Sequence, residues 1–142
     1  MANIIPFAFR GELLSGTHNF ANGGNSFKIA LYTSFAAYST GSTVYQTTNE
    51  VSSNNTGYTT AGKVLAGQAV VSTGAIATVD FTDSTLNNAT FTAAFAAIYN
   101  DTNADKLCVV LDFGGNKTAT NGTFSISFPN PSTPANAIIS MA

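Results

Sequence analysis

Few side chains in this sequence are equipped for chemistry, and they are scattered along it. His18 is the one histidine and Cys108 the one cysteine. A cysteine becomes a nucleophile when a histidine takes its proton and a third group orients the imidazole. No signature in the sequence supplies that third group. Cys108 lies in the run Leu107-Cys108-Val109-Val110-Leu111, where an apolar setting disfavours the thiolate. The expectation is an inert, buried thiol and no catalytic residues.

Asp101, Asn103 and Asp105 alternate, and Asp112 stands at the twelfth position of the loop they would open. A calcium loop of that kind needs glycine at its sixth position for the sharp turn, and Lys106 stands there. The acidic stretch reads instead as a hairpin tip. Gly114-Gly115-Asn116-Lys117-Thr118 has the flavour of a phosphate loop but lacks the spacer and the following helix. It reads as a β-turn. No metal or cofactor site is expected.

The composition explains why chemistry is scarce. Hydrophobic residues make up 44% of the 142-residue chain and charged residues only 8%, against a usual charged share of about 25%. Polarity comes from Ser, Thr and Asn, about a third of the chain by count. The 11 Phe and 5 Tyr, with many Val, Ile and Thr, favour strands and a packed core over disorder. The five cations, Arg10, Lys28, Lys63, Lys106 and Lys117, stand singly in a chain of net charge −2. Nucleic-acid binding draws on clustered cations, so nucleic acid is not an expected partner. No apolar run approaches the roughly 20 residues that span a membrane as a helix. The N-terminus lacks the pattern of a secretory signal, which predicts synthesis in a cytoplasm. A surface so poor in charge suits a protein covered by neighbours, because Ser, Thr and Asn cost less to desolvate than Lys or Glu.

The elements that must hold these residues follow from pattern. Residues 6–14 suggest a short helix opened by Pro6 and stopped at Ser15-Gly16, within an N-terminal helix or arm over residues 1–25. Residues 27–32 (FKIALY) form the first strand. Residues 34–65 show no sustained period and read as a long irregular contact region. Strands follow at 69–72 and 75–81 around Thr73-Gly74, then at 90–99, 107–113, 122–128 and 137–141. Residues 107–113 read as a central strand buried on both faces. The predicted fold is a single all-β domain over residues 1–142, an antiparallel β-sandwich or barrel of about seven strands with a short N-terminal helix or arm. Tyr38, Tyr45 and Tyr58 fall in the irregular region, where a tyrosine either plugs a loop onto the core or anchors a partner.

Several stretches together resemble a recurrent pattern in small virion-associated proteins of tailed bacteriophages. They are Phe27-Lys28-Ile29-Ala30-Leu31-Tyr32-Thr33-Ser34, Asn49-Glu50-Val51-Ser52, residues 57–65 (GYTTAGKVL), Ile98-Tyr99-Asn100-Asp101, Asp112-Phe113-Gly114-Gly115 and residues 122–129 (GTFSISFP). They occur in order over most of the chain. Ala61 departs from the pattern, which usually has glycine there.

The resemblance implies a phage virion structural protein, foremost a capsid decoration or cement protein on the capsid surface. Its partner would be the major capsid protein or other virion proteins, and it would form a homo-oligomer, a trimer foremost. The contacts would be carried by the N-terminal segment, with Phe7, Phe9 and Arg10, and by the irregular region, with Tyr38, Tyr45 and Tyr58. Rival readings are a tail, neck or fibre-attachment component, or a receptor- or carbohydrate-binding module.

Overall fold

Alternation decides the architecture. Along residues 27–32 successive side chains point to opposite faces, and because nearly every position is apolar both faces must be covered. The computed structural model describes residues 3–142 and covers them differently on each side. Helix α1 spans Phe7–Leu14, and seven strands follow among the described residues: β1 Phe27–Tyr32, β2 Lys63–Val64, β3 Ala69–Thr73, β4 Ile76–Asp80, β5 Ser84–Asn100, β6 Lys106–Ile126 and β7 Ile139–Met141. Two antiparallel sheets result, one in the order β2-β1-β5-β6 and one in the order β3-β4-β7.

One face of the four-stranded sheet packs against α1 and the three-stranded sheet. Phe27, Ile29 and Leu31 from β1 meet Phe9, Phe20, Phe81, Phe91 and Phe124 there. Phe20 stacks on Phe27 at 4.3 Å between ring centres, and Phe81 closes on both edge-to-face at 6.3 and 5.9 Å. Each such side chain contributes about 1.5–3 kcal/mol by leaving water. The opposite face carries Ala30, Tyr32, Ala97, Tyr99, Leu107 and Val110 and is roofed by Tyr38, Tyr45 and Phe35. The irregular region thus serves as a second cover for the sheet. It contains a 3₁₀ turn at Phe35–Ala37 and ends in β2.

The sequence-based boundaries need correction at several points: β5 begins at Ser84, six residues before the strand expected at 90–99, and β2 lies within the stretch read as irregular. Gly114-Gly115-Asn116 is no turn between strands, because β6 runs through it for 21 residues. Ala93 pairs with Lys117 and Phe95 with Asp112, so residues 113–116 bulge out of the ladder. Gly114 and Gly115 take φ of 76° and 136°, which lets the strand bend without breaking. The stretch 107–111 is buried on both faces as expected, yet β6 stands at the sheet's edge. Its outer side is closed by the bridges Ile4–Val110 and Val44–Lys106. The hairpin turn between β3 and β4 is Gly74-Ala75, since Thr73 already pairs with Ile76.

Candidate functional site

Two polar clusters sit against the core, one around His18 and Cys108 and one around Tyr45 and Tyr58. The first surrounds His18. Its Nε2 lies 2.7 Å from Glu12 Oε2, and Lys106 Nζ lies 2.9 Å from Glu12 Oε1. On the other side of the ring, Asn100 Nδ2 approaches His18 Nδ1 at 3.0 Å. The proton positions follow from the network. Asn100 Oδ1 accepts from the amides of Thr102 and Asn103 at 3.1 and 3.2 Å, so its Nδ2 must donate to Nδ1. The imidazole proton therefore sits on Nε2 and is donated to Glu12.

Cys108 Sγ is 3.7 Å from the same Nδ1. Thiol, imidazole and carboxylate thus stand in the order that nucleophilic catalysis uses. Three features disable it. Cys108 is fully buried, the Nδ1 lone pair is engaged by Asn100, and burial, with the Glu12 charge adding to it, pushes the thiol well above its ordinary value. The cluster instead clasps α1 and the loop at residues 17–25 onto the hairpin that joins β5 to β6. Asn100 and Asn103 extend the clasp to Thr17 O and to Asn25 Oδ1.

The second cluster is centred on Glu50. Tyr45 and Tyr58 donate to its two carboxylate oxygens at 2.5 and 2.6 Å, and the Ala61 amide donates at 2.8 Å. Tyr58 Oη also accepts from the Leu31 amide at 3.1 Å, and Tyr99 donates to Ala61 O. Beside it, Tyr32 and Tyr38 hydroxyls meet at 2.7 Å, Tyr32 donates to Gln46 O and Gln46 N donates to Tyr38 Oη. Burial, reinforced by the hydrogen bond to Glu50, pushes the hydroxyls of Tyr45 and Tyr58 above their ordinary range, so they act as fixed donors. Residues 34–62, irregular in sequence, are thereby pinned at many points.

The candidate contact residues divide accordingly. Phe9, Tyr38 and Tyr58 are buried, Tyr45 is half-buried, and their side chains hold loops and helix to the core. Phe7 and Arg10 are exposed, Phe7 at 62%. Asp101 and Asp105 lie at the tip between β5 and β6, where Asp101 pairs with Lys28 at 3.0 Å. Among the described residues no group of three or more His, Cys, Asp or Glu is placed to hold a metal ion. No helix among them is long and apolar enough to cross a membrane.

Sequence reasoning missed Glu50 and Glu12 as hubs. Glu50 carried a usable signal: it is a lone acid in an uncharged stretch that contains three tyrosines. Glu12 carried none, because its partners lie 6 and 94 positions away.

The outward surface is dominated by small uncharged groups. Along the far half of the β5–β6 ribbon the exposed positions include Thr85, Asn87, Thr90, Thr118, Thr120 and Thr123, with Lys117 the one charged side chain among the exposed positions there. Thr92 and Thr118 hydroxyls meet across the strands at 2.7 Å. No protein-family model, curated protein or solved structure matches this chain.

Proposed function

We propose that this chain is a non-catalytic structural component of a phage virion, foremost a capsid decoration protein bound over junctions between shell subunits. The observation that carries the reading is where the phage-like stretches fall. Asn49-Glu50, residues 57–62 and residues 27–32 meet at a single point, the Glu50 carboxylate, with Tyr58, Ala61 and the Leu31 amide around it. These are the positions a fold of this kind needs, which supports treating the resemblance as one of architecture and not of composition. The sealed Cys108–His18–Glu12 cluster and the charge-poor Thr/Asn ribbon are compatible with a role in packing against neighbours. A decoration protein that binds only the mature lattice stabilises it by linkage, in proportion to its affinity.

The test is quantitative mass spectrometry of purified virions separated into heads and tails. Copy numbers comparable with the major shell protein, confined to heads, are expected. A few copies travelling with tails would transfer the chain to a neck or fibre-attachment role. Absence from particles would overturn the virion reading.

A further inference from the structure

The sheet ends of this protein are closed in different ways, and one is not closed. β6 is bridged at Val110 and Lys106, bulges at residues 113–116, and turns left-handed at Asn121 with φ 46°. β2 is two residues long and β7 three. β3 keeps an unbroken register with β4 over all five residues from Ala69–Asp80 to Thr73–Ile76. None of its residues has a positive φ, and among the described residues no strand or bridge pairs with its other side. Soluble proteins guard such edges with lysine, proline, a bulge or a covering loop. β3 reads Ala-Val-Val-Ser-Thr and carries none of these, with Val70 52% exposed.

We propose that the free edge of β3 pairs with the same edge of a second copy of this chain, antiparallel about Val71, joining two three-stranded sheets into one of six strands. The strand is self-complementary in that register. Val71 stands opposite Val71, Val70 opposite Ser72, and Ala69 opposite Thr73. An isologous contact sets every residue against its own kind or a near neighbour, so like charges on the edge would oppose each other. β3 has no charge at all, which removes that cost. Val70 and Ser72 share a face with their partners Val79 and Ala77, and Ala77 is in register with Met141, itself 52% exposed. Pairing therefore continues an apolar strip already present on that face. The inference goes beyond the virion role and departs from the trimer that the resemblance implies, so the mass of the oligomer separates the two. Five residue pairs make a small interface, so the association should be concentration-dependent, with a Kd on the order of 10 µM.

Sedimentation from about 1 to 500 µM, a range bracketing that Kd, should show the 14.6 kDa chain passing to twice that mass. Val70→Lys, at an exposed position, should leave thermal unfolding of the dilute protein unchanged and hold it monomeric throughout. A second measurement fixes the register. Directly opposed residues lie about 4.5–5.5 Å apart between Cα atoms, within disulfide range, so Val71→Cys should cross-link to its own counterpart under mild oxidation. Thr73→Cys should not, because its counterpart would lie about 13 Å along the strand. Cys108 is fully buried and adds no competing thiol. A monomer at every concentration, a trimer, dimerisation unaffected by Val70→Lys, or cross-linking of Thr73→Cys in preference to Val71→Cys would each overturn the proposal.

Discussion

Replacing Glu50 with alanine tests whether one carboxylate holds the irregular region in place. The substitution removes three donors' acceptor at once: the Tyr45 and Tyr58 hydroxyls and the Ala61 amide. Hydrogen bonds to a charged group contribute about 1.5–3 kcal/mol each. Tyr45 is half-buried and can turn to water, so its share is close to zero. Tyr58 is 3% exposed and its donor proton has no second acceptor in the network. The Ala61 amide is held near it. Two bonds at the lower half of the range give a loss of about 3–4 kcal/mol, a large part of the roughly 5–15 kcal/mol that such a domain commands. At about 3 °C per kcal/mol for a chain of this size, the Tm should fall by roughly 10 °C. The chain has no tryptophan, so urea and thermal unfolding are best followed by tyrosine fluorescence and near-ultraviolet circular dichroism. Glu50→Gln is the control. Its amide oxygen can still accept from Tyr58 and Ala61, and it should cost only about 1 kcal/mol. A loss below about 1 kcal/mol for Glu50→Ala, or equal losses for alanine and glutamine, would refute the idea of a carboxylate hub.

Four further outcomes are expected. Ala61 sits at φ 74°, where an L side chain is strained, so Ala61→Gly should raise stability by about 1 kcal/mol. Gly62→Ala should instead cost at least about 3 kcal/mol, since its φ is 83° and a Cβ would stand 2.0 Å from the Ile29 carbonyl oxygen; paired urea titrations check both. Cys108 should be silent to a thiol reagent in the native protein and react fully in urea, and rapid native labelling would contradict the sealed cluster. Burial alone would raise the Glu12 carboxyl, but hydrogen bonds from His18 and Lys106 outweigh it and hold the group below its ordinary value of 4.5. A depressed carboxyl contributes stability that is complete above that ordinary value and disappears as pH falls through the folded one. Glu12→Gln should therefore flatten the loss of urea stability as pH falls below about 4.5, and an unchanged slope would count against the clasp.

Local pattern carried the strands well where alternation was regular. Residues 27–32 form β1 without adjustment, and the helix at Phe7–Leu14 begins where Pro6 predicts. The all-β antiparallel class was likewise legible, with sandwich and barrel both open, and the count of seven holds although residues 107–113 and 122–128 join in β6 and β2 was not foreseen. One error arises because glycine permits more than one backbone path. Gly114-Gly115 allows a turn or a bulge, and only the pairing partner on β5 decides for the bulge. The edge position of residues 107–111 was hidden for a different reason. Burial on both faces signals a central strand, but here residues near Ile4 and Val44 cover the outer side. The polar clusters were least legible, because they join residues separated by tens of positions, and no local window contains both His18 and Asn100.

The clasp around His18 also sets an order of events during synthesis. His18 leaves the ribosome early, but Asn100 and Cys108, which meet its ring, follow 82 and 90 positions later. At about 5–20 residues per second, the imidazole waits roughly 4–18 s for those partners to exist. During that interval it is available to chaperones or to other nascent chains on the same message. Docking of α1 is consequently a late step of folding, dominated by non-local closure. A chain stalled before residue 100 would carry its N-terminal third exposed.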